Sequence, residues 1–479
     1  MNENKYFLIN RGDLDDRLDP FYYRPQFKNA IESLGKRKRI SLISKFVIHP
    51  PEYPRTYSES GYQLIRSQNV RPTGLDIKSN PVYFSEETLK NKRKIKPTIG
   101  DLLVVRSGVN AGDASIVEQE YPDCIVGADT LMARFKETVN PKFIQVFFAT
   151  NLGKLILSRY ITGATNKHVS PHSFNKIEIP TLDFTFQQLA VDKFEKGLDE
   201  KNKGEKKSAE LLKQIDTKIL EELIINLPVL PPNTIENRMF KTGWQKVTGN
   251  RFDPKKYSKQ SEDLIACIEN SPVRKVPLKS LVVHSVAGDW GLDEKEAVNP
   301  KLFTKCLVVR ATEFDNNYNL NIENSRAKFR FISNVKLKKL DIKPKDFLLE
   351  KSGGSPDQPV GRISILENEL LENNTIGYSN FIQKFRVDTE QVLPEYLFCF
   401  LKTIHNIKLT DVMQSQTNGI RNLIMREYWN QSIILPDKKK QKEVADTIYQ
   451  MRAEAKQTEI DAQQGFEQTK KEIEKLILE

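Results

Sequence analysis

The sequence has little of what membrane proteins, exported proteins and most enzymes require. No run of eighteen apolar residues occurs, so no segment reads as a membrane-spanning helix. The opening residues combine neither a cationic start nor an apolar core, so no secretory signal is expected and the chain is expected in the cytoplasm. Its four cysteines, Cys124, Cys267, Cys306 and Cys399, are scattered without CxxC pairing, which points to reduced side chains and not to disulfides or metal ligands. His168 and His172 stand four residues apart with no third ligand in view, and His49, His284 and His405 are isolated, so no metal site is expected. No serine or cysteine sits in a recognisable nucleophile elbow. Asp19-Pro20 and Asp253-Pro254 have the start of a methyltransferase loop, but Phe21 and Lys255 replace its second proline and no glycine-rich cofactor loop precedes either. Asp346 with Glu350 and Lys351 misses the spacing of a metal-dependent nuclease triad. No catalytic residue is therefore assigned.

Positive charge is what the chain does have. Its 479 residues are 38% hydrophobic and 29% charged, with Lys plus Arg at 74, a net charge of +11 and a pI near 9.1. That length leaves room for about two to four domains. Basic residues spread through a chain gain affinity for a polyanion by displacing its condensed counterions.

Two long helices organise the sequence. From about residue 439 to 479, Val444, Ile448, Met451, Ala455, Ala462, Phe466, Ile473 and Leu476 follow the narrow apolar stripe of a helix with one partner helix. Residues 187–225 repeat the rhythm with Val191, Phe194, Leu198, Leu212, Ile215 and Ile219, interrupted by Lys201, Glu205 and Ser208, and weakened by Gly197 and Gly204. Each could reach about 60 Å at roughly 1.5 Å per residue. Between the halves, Pro228, Pro231 and Pro232 punctuate a connector that cannot continue the first helix.

What precedes each helix is duplicated. Arg17, Asp19 and Pro20 are echoed by Arg251, Asp253 and Pro254. A strand ending near Arg66, Asn69 and Arg71 is answered by one ending near Arg310 and Thr312. A turn delivers Asp101 into an apolar strand ending on Arg106, Ser107 and Gly108; Asp346 leads in the same way to Lys351, Ser352 and Gly353. Helices beginning at Pro141 and Pro394 follow. A polar glycine loop, Thr162 to His168, then leads through Ile177, Ile179 and Pro180 to Gln187 and the first long helix. Thr417 to Asn422 leads through Ile433, Ile434 and Pro436 to Gln441 and the last.

The Thr-Gly polar loop, the Ile-x-Ile-Pro strand end and the helix-opening glutamine, present from Thr162 to Gln187 and in a degraded form from Thr417 to Gln441, resemble the specificity subunit of type I restriction-modification enzymes over essentially the whole chain. The resemblance implies an α+β fold. Two mixed α/β target recognition domains would be separated by two long α-helices forming an antiparallel coiled coil, a pseudo-twofold duplication. The domains expected are residues 1–184 and 244–437, with spacer helices at 185–227 and 438–479 and a connector at 228–243. It also implies a chain with no catalysis and no cofactor of its own, reading an asymmetric, bipartite double-stranded DNA site with half-sites roughly 34 Å apart. Two methyltransferase subunits would bring S-adenosylmethionine, and restriction/translocase subunits, where present, ATP and Mg, for phage defence. Residues expected to face DNA are Arg66, Asn69, Arg71, Arg106, Ser107, Thr165, Asn166 and Lys167 in the first half. In the second they are Arg310, Thr312, Lys351, Ser352, Asn418, Arg421 and Asn422. The competing readings are a stand-alone DNA methyltransferase or nuclease, and a coiled-coil scaffold that does not read DNA.

Overall fold

The computed structural model describes the chain except residues 1–6, 16, 164, 230, 233, 248–251, 298, 300, 316–319, 323–327, 355–357 and 418. It divides into two compact units, residues 1–206 with 458–479, and residues 207–457. The boundary cuts both long helices, so each unit owns part of each. Among the described residues no helix is long and apolar enough to cross a membrane.

In the first unit Leu102–Val105 is a strand buried along its whole length, because its side chains alternate between two cores. Leu102 and Val104 pack with Phe143, Phe147 and Phe194, while Leu103 and Val105 pack with Ile65 and Val126. It lies in an antiparallel sheet ordered Ser44–Ile48, Thr130–Phe135, Leu102–Val105, Ala114–Ile116. A second sheet places Tyr62–Ile65 between antiparallel Tyr83–Phe84 and parallel Cys124–Val126, and Arg37–Arg39 pairs with Glu178–Pro180.

The second unit repeats this plan strand for strand. Its four-stranded sheet is ordered Val282–Ala287, Ile382–Val387, Phe347–Glu350, Ile363–Ile365. Its three-stranded sheet places Phe303–Val309 between antiparallel Lys328–Ser333 and parallel Ile376–Tyr378, and Lys275–Pro277 pairs with Ser432–Ile434. Phe347 and Leu349 again face one core and Leu348 the other.

The turn aspartates act alike. Asp101 accepts from the Thr98 backbone at 2.8 Å and pairs with Arg134 at 2.7 Å; Asp346 accepts from the Lys343 backbone at 2.8 Å and pairs with Arg386 at 2.7 Å. Both are fully buried, so each ion pair fixes the start of its central strand.

The repeated glutamines clamp the junction between sheet and long helix. Gln187 Oε1 accepts from the Asn140 backbone at 2.9 Å, and its Nε2 donates to Leu182 O at 2.8 Å. Gln441 Oε1 accepts from the Leu393 backbone at 2.8 Å, and its Nε2 donates to Pro436 O at 2.9 Å. Asn140 and Leu393 are the residues that precede the helices Pro141–Ala149 and Pro394–Asn406, so one side chain ties two helix starts together.

The long helices are Phe184–Glu222 and Lys438–Leu478. They run antiparallel in each unit: Phe194 meets Phe466 at a ring separation of 5.2 Å and Lys193 pairs with Glu472 in the first, while Glu222 bonds Lys440 in the second. Gly197 and Gly204 set how close they come, since a Cβ would lie 2.7 Å from Thr469 or 2.5 Å from Ala462. The glycines that weaken the isolated helix thus serve its packing. The interrupting polar residues are accommodated too, with Lys201 paired to Glu205 at 2.6 Å and Ser208 buried. Toward their ends both helices enter the globular cores, through Val191, Ile473 and Ile477 in the first unit and Ile215, Val444 and Ile448 in the second.

Candidate nucleic-acid interface

The expected site residues gather at the ends of the central strands. In the first unit the chain leaving Val105 runs beside the polar glycine loop: Val169 N donates to Arg106 O at 3.0 Å and Gly108 N to Lys167 O at 3.0 Å. Ser107 is bridged to His168, and His168 on its other side to Thr162, making a three-layered edge from segments far apart in sequence. The Ser107 hydroxyl lies 3.0 Å from His168 Nδ1. Thr165, Asn166 and Lys167 are exposed at the tip of the loop.

Arg106 is half-buried, its Nη1 donating to Ala128 O at 3.2 Å, and His49 Nε2 lies 2.9 Å from the same oxygen. Burial, then Arg106 and His49, hold the His168 imidazolium below its ordinary 6.5, against an opposing pull from Asp129. The ring is therefore neutral near pH 7, with one donor and one acceptor nitrogen. Arg66 is half-buried beside the same 127–129 segment, where Gly127 N donates to Ile65 O, and its guanidinium bonds Asn80 O. Arg71 is exposed on a short hairpin strand.

Asn69 differs from expectation. It is 2% exposed, accepts from the Arg66 backbone at 2.9 Å and donates to Asp76 O at 2.7 Å. With its amide spent inside the protein it shapes the turn carrying Arg66 and Arg71, and offers nothing to a base.

The second unit builds the same edge with other side chains. Ser352–Gly353 pairs with Ile420–Leu423, which pairs in turn with Gln414–Thr417. Ser352 faces Asn422, Asn422 faces Ser415, and Gly353 faces Arg421. Leu423 N donates to Lys351 O at 2.7 Å, as Val169 N does to Arg106 O. The Ser352 hydroxyl donates to Asn422 Oδ1 at 2.7 Å. Lys167 thus corresponds to Arg421 and His168 to Asn422. Arg421 borders a cleft of about 520 Å³ shared with Gln414, Ser415 and the Asp253-Pro254 turn, where Asp253 caps Lys255 N at 3.0 Å and Lys255 pairs with Asp411 at 2.6 Å. The duplicated Asp-Pro is thus a helix cap, as Asp19 is for Tyr22 at 3.1 Å. Asn418 lies outside the described residues.

Burial and Lys336 push the Lys351 ammonium below its usual range, though Lys351 stays half-exposed. Arg310 is held by Glu313 at 2.8 Å, and the exposed Thr312 donates to the same carboxylate at 2.8 Å. Glu313 stands where Asn69 stands in the first unit, accepting from the Arg310 backbone at 2.7 Å. The structure thus joins Arg106, Ser107 and Lys167 in one unit, and Lys351, Ser352, Arg421 and Asn422 in the other. Arg310 and Thr312 sit on a separate turn bound to Glu313. His168 was not among the residues expected to face DNA, although it directly follows Lys167 just as Asn422 follows Arg421. Among the described residues no cluster of three or more His, Cys, Asp or Glu is placed to hold a metal.

Two units of one topology, each with a polar and basic strand edge beside paired helices, form the frame into which the sequence relationships fit. The chain is 23% identical over 425 residues to the specificity subunit of the type I restriction enzyme EcoKI of Escherichia coli K12, covering 87% of this chain and 81% of that protein. It is 24% identical over 162 residues to the StySPI specificity subunit of Salmonella potsdam, covering 33% of this chain and 34% of that one. A solved chain of a type I restriction-modification system aligns over 92% of this chain and 96% of its own at 12% identity and a TM-score of 0.48. No protein-family model matches. The chain is thus similar, through most of its length, to type I restriction enzyme specificity subunits.

Proposed function

We propose that the chain is the DNA sequence-specificity subunit of a type I restriction-modification complex, without catalysis of its own. The observation that carries this reading is the strand edge present once in each unit, with the same backbone and different side chains: Lys167 and His168 in one, Arg421 and Asn422 in the other. Two like scaffolds with unlike reading groups suit two unlike half-sites, so the target is bipartite and asymmetric. The net charge of +11 supplies attraction to phosphate, and the polar edges supply contacts to bases. The long helices act as spacer and as seat for two methyltransferase subunits that bind S-adenosylmethionine and methylate adenine. ATP- and Mg-dependent restriction subunits join where cleavage accompanies modification.

Co-expression with the methyltransferase encoded beside it, followed by co-purification and mapping of methylated adenines, tests this. A split motif with two dissimilar halves is the expected result. A complex without a motif would leave a protein scaffold that does not read DNA, and methylation or cleavage by the purified chain alone would make it an enzyme.

A further inference from the structure

The two edges share a device that the reading above does not require. In each, a serine at the end of the central strand holds one nitrogen- or oxygen-bearing group of a side chain in the adjacent strand, and a second hydroxyl residue lies on the far side: Ser107, His168 and Thr162 in the first unit, Ser352, Asn422 and Ser415 in the second. The serine bond uses only one end of its partner. Asn422 Oδ1 accepts from Ser352, and among the described residues its Nδ2 has no partner and is not buried. His168 is within reach of Ser107 through Nδ1, and among the described residues its Nε2 likewise has no partner and is not buried. Each held side chain directly follows a basic residue, Lys167 or Arg421.

We propose that His168 and Asn422 are the equivalent specificity-determining residues of the two units, each oriented by its serine so that one N–H is offered to an acceptor on a base edge. The inference rests on the specificity-subunit reading and gives that site its chemistry. A serine hydroxyl that donates to the held group leaves a donor at the free end, Nδ2–H of Asn422 and Nε2–H of the neutral His168. The major-groove edge of a purine (N7, or O6 of guanine) or O4 of thymine accepts such a bond, whereas the cytosine amino group does not. Lys167 and Arg421 lie one residue away, suited to hold the adjoining phosphate or guanine. A reader fixed by a hydroxyl keeps its orientation before DNA arrives, so less freedom is lost on binding.

The test uses the complex of the chain with its methyltransferase and reads base preference by selection from randomised duplexes. Asn422→Asp replaces the free donor with an acceptor while retaining an oxygen for Ser352. The expected result is a change of preferred base, or loss of roughly tenfold or more in discrimination, at one base pair of one half-site, with the other half-site and the gap unaltered. Ser352→Ala, which removes the hold without altering the reader, relaxes preference at that same pair. His168→Phe, which removes the donor, changes preference only in the opposite half-site. If wild type selects a split motif and these variants, folded and bound to their partner, select it unchanged, the inference is overturned while the subunit reading stands. An equal loss on all sequences would also overturn it, reassigning both positions to phosphate. Absence of any preferred sequence for wild type would remove both.

Discussion

The two units share strand order, turn aspartates, clamping glutamines and edge register, yet their interiors are held by different forces where the polar strand edge begins. In the first, the residue before Arg106 is Val105, and Met132 lies across the central strand from Leu103. In the second, the matching places hold Glu350, before Lys351, and Lys384, across from Leu348. Glu350 receives a two-pronged bond from Arg362, at 2.8 and 3.0 Å, and Arg362 also donates to Phe314 O at 3.2 Å. The ionic latch therefore fastens the strand end to the turn carrying Arg310 and Thr312. Apolar contact does that work around Val105. The lesson is that one backbone plan tolerates either solution, because what the edge needs is a fixed strand end and not a particular interaction. A charged solution, however, exposes the second unit to losses the first does not face.

Removing one member of that latch has the largest expected effect. Arg362→Ala leaves the carboxylate of Glu350, 1% exposed, without its countercharge, and destabilisation by about 3–5 kcal/mol is expected. Replacing both, Glu350→Val with Arg362→Leu, makes the second unit resemble the first and should recover most of the loss, since well-packed apolar residues commonly substitute for a buried pair. Urea unfolding of the full chain measures both. A double variant as unstable as the single one would mean that the carbonyl bond to Phe314, and not the ion pair, is what matters.

Acid should separate the units next. His405 is 7% exposed, its Nε2 donates to Pro359 O at 3.0 Å, and burial pushes its pKa from 6.5 down to about 4. A group whose folded pKa is lowered is protonated first in the unfolded chain, so stability is full above about 6.5 and falls as pH drops toward 4, by a total of about 3 kcal/mol. Among the described residues no histidine of the first unit is buried. Hydrogen exchange between pH 7 and pH 5 should therefore show Pro394–Asn406 losing protection more than Pro141–Ala149. His405→Gln, which keeps a donor for Pro359 and cannot titrate, should remove the difference. Persistence of the difference in that variant would assign it to other groups.

The glutamine clamps should behave alike in both units. Gln187→Ala and Gln441→Ala each strand a half-buried backbone N–H, of Asn140 or Leu393, at an expected cost of about 1 kcal/mol. Denaturant midpoints of the two variants measure it, and a loss confined to one would show that the repeated motif has kept its role in only one half.

Those glutamines also show what the sequence could and could not reveal. The repeated order of aspartate turn, apolar strand, polar loop, Ile-Pro strand end and glutamine was legible because each step is local and recurs. The narrow helix stripes were legible from spacing. Which side chains meet at the edge was not, because Ser107 and His168 are joined by single β-bridges too short to carry a periodic pattern. Asn69 misled for a related reason: a polar residue after a strand usually faces water, and only the return of the chain at Asp76 and Ser79 encloses it. Gly197 and Gly204 read as weak points until Thr469 and Ala462 were brought against them.

The smallest effect sharpens the comparison most. Lys384 is fully buried, bonded to Asp346 at 3.0 Å and to Asp341 O at 2.8 Å, while Arg386 also pairs with Asp346 at 2.7 Å. Met132 occupies the matching place in the first unit, where Arg134 is the one charged side chain that pairs with Asp101 among the described residues. Lys384→Met should therefore change stability by less than about 1 kcal/mol: the aspartate keeps its arginine, and the cost of burying an ammonium disappears with the ammonium. Burial already presses that ammonium below its ordinary range, with Asp346 opposing. Equilibrium unfolding at pH 7 measures the change. A loss of several kcal/mol would mean that Asp346 depends on Lys384 as well as on Arg386, and that the two aspartate turns, alike in backbone, differ in what holds them.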